Sequence, residues 1–445
     1  MQASQKDSQN LDAICAAAIA DGYACLLGDQ TLYDVPSKLH WLVALSGGPD
    51  STALLHYLKQ AAPHFGASLN AVIIDHNLRP HSAREARDVL QLCKSQGVDT
   101  SIMKVTAPPP VANKQAWARD ERYKLLCQKA REGGQILWLG HHQDDQAETV
   151  AMRLAHDSAL AGLSGMAPLV VKQGVVCLRP FLNLKKHILQ QACVRHHLSF
   201  VQDASNHNTA FERTRWRHLL AQDDLLSDHL VTLSQLAKRA DQAFGSILTD
   251  TLGDDVTFHD AGLWASLSYD VFLKLPELAQ IRLLRVILPQ IGACDYGPTF
   301  DATKQILPFI KARKNTTLSY CILRYEAGRI AVLPEVGRPV PAVFLAAGNE
   351  MIYRGRFLVR TAKDVMLHDM DDHHYGRLDA NNAYRKALSE LPMACRRLFP
   401  FALTLDEEDV TPHLYNSVRP GHFGLCDKPI GGIEIYPIGR IAKKG

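Results

Sequence analysis

Short apolar runs alternate with amphipathic stretches along the first half of the chain. The runs predict strands at residues 39–45, 69–75, 100–105, 135–142 and 175–181. Between the first three of them, apolar positions recur at helical spacing, as in "STALLHYLKQ" and "SAREARDVLQLCKSQG". Alternation of strands and helices is typical of a parallel sheet with helices on both faces. We therefore predict an α/β fold with a five-stranded parallel sheet.

The pattern changes on either side of this α/β core, which we place at residues 39–225. Residues 1–38 predict an N-terminal helical extension. Residues 226–335 combine amphipathic helices with a few short strands and predict a mainly helical middle domain. The proline-containing segment 335–344 predicts a linker, and residues 345–445 predict a small α+β C-terminal domain.

The composition is that of an ordinary globular protein with real cores. Of its 445 residues, 47% are hydrophobic and 21% are charged, and the net charge of +3 is too small to indicate a nucleic-acid partner. The ten cysteines include no CxxC pair, which argues against a zinc ribbon or an iron–sulfur site. We see neither a signal peptide nor an apolar run long enough to span a membrane, and we expect a cytoplasmic protein.

The sequence "SGGPDS" at residues 46–51 interrupts the apolar pattern between the first strand and the next helix. Its glycines permit positive φ and allow a ligand to approach the backbone closely. A helix that begins near Asp50 directs N–H groups and its positive dipole end at the same space. The stretch has no lysine and is therefore not a Walker P-loop. We predict a phosphate-binding loop; the alternative is a structural turn with a capping side chain.

Two further polar clusters follow predicted strands, "DHNLR" after the second and "HHQDDQAE" after the fourth. Ligands of such sheets bind at the carboxyl ends of the strands. Asp145 and Glu148 are three residues apart and share a face if this segment is helical. Asp144 is a candidate metal ligand or cap, and both aspartates could instead only cap the helix. Adjacent histidines such as His141 and His142 point in different directions, so we predict no histidine metal site.

Basic residues are concentrated between positions 179 and 218, where seven Lys and Arg stand against two acids. Such a cluster suits a phosphate-binding face, although a charged run is also typical of plain solvated surface. Arg213 and Arg217 are four residues apart and would share a helix face, with Trp216 available for packing or stacking.

The ordered set of motifs resembles the tRNA(Ile)-lysidine synthetase family of the ATP-pyrophosphatase (PP-loop) group. The motifs are "SGGPDS", "IIDHNLRPHSAREA", "NKQAWARDERY", "LGHHQDDQAETVAMRL", "GLSGM" and "DASNHNTAFERTRWR". The match is strong over residues 40–218 and weaker beyond. It implies that residues 39–225 form the PP-loop catalytic domain, that 226–335 bind substrate tRNA and that 345–445 contact tRNA.

The resemblance also implies roles for individual residues. The implied catalytic residues are Asp50, Arg119, Asp145 and Glu148. The implied ATP-binding residues are Ser46, Gly47, Gly48, Pro49, Asp50, Ser51, Asp75 and His76, with Asp50 holding Mg²⁺. The implied tRNA-binding residues are Arg79, Arg213 and Arg217.

The reaction implied by the resemblance is ATP-dependent ligation of L-lysine to C2 of the wobble cytidine in tRNA(Ile) with a CAU anticodon. ATP first adenylates the base and releases pyrophosphate, and lysine then displaces AMP. The product, lysidine, changes codon reading from AUG to AUA. The implied partners are this tRNA, lysine, ATP and Mg²⁺, without a membrane and with a monomeric or homodimeric protein.

The chain departs from the family pattern at two places. It has "HDSA" at residues 156–159 where the family usually has RGSG, and Thr214 where an asparagine is usual. We still expect an active enzyme because the acids and the phosphate loop are intact. The alternatives are another PP-loop tRNA-modifying enzyme and a non-catalytic RNA-binding protein that kept an ATP pocket.

Overall fold

The computed structural model describes most of the chain, and every structural statement below concerns the part it describes. That part comprises residues 2–28, 39–77, 81–110, 114–156, 160–201, 212–294, 297–335, 337, 342–353, 357–377, 385, 388–404 and 433–437. The chain divides into two compact units, residues 1–243 and 244–445. None of the described helices combines the length and apolarity that a membrane crossing requires.

The first unit is built from strands and helices in alternation. Its strands are β1 Leu39–Leu45, β2 Ala67–Asp75, β3 Asp99–Lys104, β4 Ile136–Trp138, β5 Leu169–Lys172 and β6 Val175–Leu178. Its helices are α1 Gln2–Gly28, α2 Pro49–Ala61, α3 Ser82–Ser95, α4 Lys114–Glu132, α5 Gln143–Ala155, α6 Leu160–Leu163, α7 Lys186–Arg195, α8 Glu212–Leu220 and α9 Asp224–Leu252, the last continuing past residue 243.

The strands form one sheet in the order β3-β2-β1-β4-β6-β5. The five predicted strands pair in parallel, which confirms the predicted parallel sheet. A sixth strand, β5, was not predicted; it forms an antiparallel hairpin with β6 at the edge of the sheet. Strands β2 and β3 lie on one side of β1, and strands β4, β6 and β5 lie on the other, so the strand order reverses between β1 and β4. Ligands of open α/β sheets bind at such a switch point.

Strand β1 lies in the centre of this sheet because it is apolar on both faces. Trp41, Val43 and Leu45 pack into a core that includes residues of α2, whereas Leu42 and Ala44 pack into a second core against α4. Successive side chains of a strand point to opposite faces, so a central strand covered by helices on both sides reads as a continuous apolar run. This burial fixes where β1 ends and the polar loop at residues 46–51 begins.

The second unit contains three antiparallel sheets. Its strands are β7 Val256–His259, β8 Trp264–Ser268, β9 Thr316–Leu318, β10 Cys321–Glu326, β11 Arg329–Pro334, β12 Val343–Leu345, β13 Glu350–Tyr353, β14 Phe357–Thr361, β15 Val365–Asp369, β16 Pro400–Thr404 and β17 Ile433–Pro437. Its further helices are α10 Tyr269–Lys274, α11 Glu277–Gly292, α12 Phe300–Lys311, α13 Asp372–Arg377 and α14 Met393–Arg396.

The middle region combines helices α10–α12 with a five-stranded sheet of order β7-β8-β11-β10-β9, and the two share one core. The short strands expected there therefore pair into a full sheet. The C-terminal region has two three-stranded sheets, β12-β15-β16 and β13-β14-β17, as expected of a small α+β segment.

Candidate active site

A cavity of about 350 Å³ opens next to the carboxyl ends of β1 and β4 in the first unit. It brings together residues from four of the sequence motifs, and its first and last lining residues are 173 positions apart. Its lining residues are Ala44, Ser46, Asp50, Ser51, Arg119, Arg122, Gly140, His141, Asp145, Arg213, Thr214 and Arg217. The four arginines outnumber the two aspartates, so the cavity favours an anionic ligand.

The loop between β1 and α2 forms one wall of the cavity. Gly47 has φ +80, and a Cβ there would lie 2.5 Å from Cγ2 of Val89, so this position requires glycine. The Oγ of Ser51 accepts a hydrogen bond from Ser46 N at 3.1 Å and donates to Gly48 O at 3.1 Å. These bonds fold the loop tightly over the first turn of the helix.

Helix α2 begins at Pro49, and its N-cap residue Gly48 provides no side-chain cap. The first N–H groups of a helix have no partner within the helix, and together with the helix dipole they favour an anion. Gly140, which follows β4, lies against this turn: a Cβ there would be 3.2 Å from the carbonyl carbon and oxygen of Asp50 and from Ser51 N. The two loops therefore approach each other through backbone alone.

Asp50 projects from the first turn of α2 and contacts His142. Oδ2 of Asp50 lies 3.5 Å from Nε2 of His142, whereas Oδ1 of Asp50 is buried with no hydrogen-bond partner. A buried carboxylate oxygen without a partner is costly, and a hard cation such as Mg²⁺ would satisfy it. The described residues contain no group of three His, Cys, Asp or Glu placed to hold a metal. Such a cation would therefore need further oxygen ligands from phosphates or water.

Asp145 and Glu148 lie on the same face of α5 and meet two arginines from α8. Arg213 donates from Nε to Glu148 at 2.6 Å and from Nη2 to Asp145 at 2.8 Å. Arg217 donates from Nε and Nη2 to Glu148 at 2.6 and 3.1 Å. The side chain of Glu148 is only 2% exposed, so both of its oxygens are neutralised by buried or half-buried guanidinium groups.

The surrounding charges fix the ionisation of this site. Burial raises the pKa of Asp145, but the neighbouring His142 and Arg213 lower it by more, and the net shift is downward. Burial also lowers the pKa of His141 to about 3; Asp145 opposes that shift, while Arg179, Arg122 and Arg119 add to it. Asp145 is therefore ionised and His141 neutral at physiological pH.

The remaining wall of the cavity comes from α4. Arg119 lines the cavity and its guanidinium lies 5.5 Å from the centre of the Tyr123 ring. Arg122 lines the cavity one helical turn further on, and the sequence analysis did not single it out. A planar cation in this position can bind phosphate oxygens in a bidentate manner.

The predicted nucleotide residues after β2 are not among those that line this cavity. Asp75 is buried and its Oδ1 accepts a hydrogen bond from Asn77 N at 2.8 Å, which shapes the turn that follows the strand. His76 has a buried Nδ1 without a partner, and burial lowers its pKa, with Arg122 adding to the effect. Arg79 lies outside the described residues.

Most of the seven basic residues predicted as a phosphate face contact other groups of the protein. Besides Arg213 and Arg217, Arg179 is buried and donates to Ala167 O, Lys185 pairs with Asp228, and Arg195 pairs with Asp12. Most of this cluster therefore stabilises the first unit in the absence of a ligand.

The two departures from the family pattern take up contacts within the first unit. Nε2 of His156, at the end of α5, lies 3.1 Å from Glu212 at the start of α8. Thr214 is buried and lines the cavity between the two paired arginines. Residues 157–159 lie outside the described part of the chain.

Sequence reasoning missed the part played by His142 and by Asp144. His142 is the N-cap of α5 and is bonded reciprocally to Asp145, the pattern of a capping box. The cap signal was present in the sequence, since an acid stands three residues after the histidine. Asp144 accepts a hydrogen bond from the backbone N of Lys186 at 3.3 Å, so it caps α7 rather than its own helix.

Comparison with known proteins gives consistent matches. The PP-loop domain family matches residues 27–223. A tRNA(Ile)-lysidine synthase of Bradyrhizobium diazoefficiens is 33% identical over 341 residues, 69% of this chain and 93% of that protein. The enzyme of the same name from Rhodopseudomonas palustris is 33% identical over 66% of this chain and 90% of its own length. That of Wolbachia pipientis wMel is 32% identical over 66% of this chain and 70% of its own length.

These relatives are matched over most of their length. The PP-loop domain match at residues 27–223 includes the loop at residues 46–51 and the acids of α5. The parallel sheet, the position of the cavity at its switch point and the sequence matches all agree. The chain belongs to the tRNA(Ile)-lysidine synthase family and carries its PP-loop domain in residues 27–223.

Proposed function

We propose that the protein uses ATP to join L-lysine to C2 of the wobble cytidine in a tRNA(Ile) with a CAU anticodon. The observation that carries the proposal is the cavity, which is lined by a phosphate-type loop, four arginines and Asp145, with the buried Glu148 paired to two of those arginines. The reaction needs these groups: a site for triphosphate, cations at the reacting phosphorus, and carboxylates for an ammonium substrate.

ATP would bind in the cavity with its phosphates at the N-terminus of α2. Ser46, Gly47, Gly48, Asp50 and Ser51 would hold the β- and γ-phosphates through backbone N–H groups and hydroxyls. Pro49 has no N–H to donate and would contribute to the phosphate site only by shaping the first turn of the helix. Mg²⁺ would enter with the nucleotide, held by phosphate oxygens and by the unpartnered Oδ1 of Asp50. Bound there, the ion supplies charge neutralisation of the triphosphate. Asp75 and His76 follow the neighbouring strand and would contact the nucleoside.

In the first step the cytidine O2 attacks the α-phosphorus, the bond from that phosphorus to the bridging oxygen breaks, and pyrophosphate leaves. Arg119 would stabilise the negative charge that develops on the phosphoryl oxygens. The neutral His141 lines the same cavity and leaves the arginines as its cations.

In the second step the lysine ε-amine attacks C2, and the bond from C2 to the adenylate oxygen breaks to release AMP. Asp145 and Glu148 would bind the incoming ammonium group, and one of them would take the proton that the amine loses. In the unliganded protein both acids are occupied by Arg213 and Arg217. The arginines must therefore shift towards phosphate groups of ATP or tRNA before lysine can pair with the acids.

The tRNA would reach this cavity with its wobble base unstacked, as is usual for recognition in RNA loops. Arg213, Arg217 and Arg79 are the proposed contacts of the anticodon region. Residues 39–225 form the proposed catalytic domain, 226–335 and 345–445 the proposed tRNA-binding parts, and 1–38 an N-terminal extension. A tRNA substrate also favours a cytoplasmic protein, as a monomer or homodimer.

A test of the proposal measures AMP and pyrophosphate formed from ATP with lysine, tRNA or both present. We expect AMP release only when lysine and CAU tRNA are both supplied, and loss of that turnover in Asp50→Asn. ATP consumption without tRNA, or with tRNA but independent of lysine, would favour another PP-loop reaction. Binding of ATP and tRNA without any turnover would favour a non-catalytic RNA-binding protein.

A further inference from the structure

His142 lies between the two carboxylates that face the cavity from different helices. Its side chain is 6% exposed. Its backbone N donates to Oδ2 of Asp145 at 3.2 Å, and its Nδ1 accepts from Asp145 N at 3.4 Å. The ring is thus held in one orientation by the first turn of α5.

The orientation of the ring determines what its other nitrogen does. Because Nδ1 accepts a backbone N–H, Nε2 is the nitrogen that carries the proton. Nε2 lies 3.5 Å from Oδ2 of Asp50 and 3.4 Å from Oδ2 of Asp145. A single N–H group is therefore shared by a carboxylate of α2 and a carboxylate of α5.

This contact distinguishes the two carboxylate oxygens of Asp50. Oδ2 faces the imidazole, whereas Oδ1 is buried without a hydrogen-bond partner. A carboxylate that binds a cation through one oxygen is commonly oriented by a hydrogen bond to the other, and loss of such support costs about 10–100-fold in metal affinity. The imidazole thus fixes the carboxylate rotamer that points Oδ1 away from it.

We propose that His142 is a positioning residue that orients Asp50 for Mg²⁺·ATP and holds the carboxylate of Asp50 at a fixed position relative to that of Asp145. It acts through the two carboxylates and does not touch the substrates. The inference rests on the proposed function, since it assigns a supporting residue to the same nucleotide site. It adds a physical link between the ATP half of the cavity and the acid half.

Two substitutions separate this role from helix capping. His142→Asn keeps a side-chain acceptor near the position of Nδ1 and can still cap α5, but it cannot reach Asp50. His142→Gln carries an amide NH₂ near the position of Nε2, but it loses the acceptor at Nδ1. The readouts are Mn²⁺ binding by electron paramagnetic resonance with a non-hydrolysable ATP analogue, the Mg²⁺ dependence of pyrophosphate release, and the melting temperature.

We expect His142→Asn to melt like the wild type and to bind Mn²⁺ at least about tenfold more weakly in the presence of the analogue. His142→Gln should melt at a lower temperature and retain Mn²⁺ affinity close to wild type. The proposal would be overturned if His142→Gln bound Mn²⁺ more weakly than His142→Asn, or if both variants kept wild-type Mn²⁺ affinity. It would also be overturned if both lost the same Mn²⁺ affinity in parallel with a lower melting temperature. If the wild-type protein binds Mn²⁺ and the analogue but never consumes lysine, the proposed function is contradicted. The Mn²⁺ affinities of the two variants would then still decide whether His142 orients Asp50.

Discussion

Arg213 donates to Glu148 at 2.6 Å across the gap between α8 and α5, and the carboxylate it reaches is almost completely buried. The same guanidinium also reaches Asp145. The acids proposed to receive the lysine ammonium are thus already paired with cations of the chain itself. The pairing with Arg213 helps to keep Asp145 ionised in a buried site. In the proposed reaction both acids must exchange partners before they can bind lysine.

The first prediction concerns the strength of that pair. In a double-mutant cycle with Arg213→Met and Glu148→Gln, we expect a coupling energy of about 1–2 kcal/mol in the free energy of unfolding. The value stays below that of a fully buried pair because the arginine side chain is 29% exposed. Urea unfolding of the four proteins measures it. Additive effects within error would contradict the ion pair.

Lysine binding should depend on the phosphates present. Without ATP or tRNA, the arginines occupy Asp145 and Glu148 and the cavity carries an excess of positive charge, so lysine should bind weakly. A non-hydrolysable ATP analogue together with CAU tRNA should strengthen lysine binding by about tenfold or more, which corresponds to a coupling of about 1.4 kcal/mol. Equilibrium dialysis with labelled lysine measures this; equal binding in both conditions would refute the exchange of partners.

Gly140→Ala should weaken ATP binding more than it affects folding. A Cβ at this position would meet the backbone of Asp50 and Ser51 at 3.2 Å, and relief requires a shift of the first turn of α2, where the phosphates are proposed to bind. We expect an increase of about tenfold in the KM for ATP, since small displacements of binding groups are costly. Gly245→Ala is the matched control, because a Cβ there meets nothing within 4 Å. Equal KM values in the two variants would refute the prediction.

The stability of the first unit should depend on His141 at mildly acid pH. Burial and the nearby arginines lower the pKa of His141 from 6.5 to about 3 in the folded protein. A lowered histidine pKa means that the unfolded chain takes up the proton first, so stability is full above pH 6.5 and falls as the pH drops towards 3.

Because His141 is only half-buried, we expect it to account for about 1 kcal/mol of the stability lost between pH 7 and pH 5. Urea unfolding followed by tryptophan fluorescence should show a smaller loss over this interval in His141→Gln than in wild type. The same loss in both proteins would mean that His141 does not carry the effect.

The sequence predicted the parallel sheet well because the burial of its strands shows in the sequence as apolar runs. The run at residues 39–45 is apolar on both faces, and strand β1 has these bounds. The fourth strand is shorter than predicted, Ile136–Trp138, because the chain leaves the sheet at Leu139 to bring Gly140 against α2. Strand β5 was missed because its four residues are all half-buried and show no alternation.

The sequence predicted which residues of the candidate site share a helix face, but not which of them pair with one another. The spacing of Arg213 and Arg217 correctly places both on one face of a helix, and that of Asp145 and Glu148 does the same. That these two faces meet depends on how α8 packs on α5, which local patterns do not contain. The tRNA-binding role of the arginines stays a prediction, and their contacts in the unliganded protein are with the acids.

The most direct test of the whole account is incorporation of radiolabelled lysine into isoleucine tRNA transcripts with CAU or GAU anticodons, with ATP present or omitted. The account predicts label only in the CAU transcript, only with ATP, and strongly reduced in Asp145→Asn and Glu148→Gln. Absence of label in both transcripts, with folded protein that binds ATP, would contradict the proposed reaction. Normal labelling by both acid variants would contradict the assignment of the site.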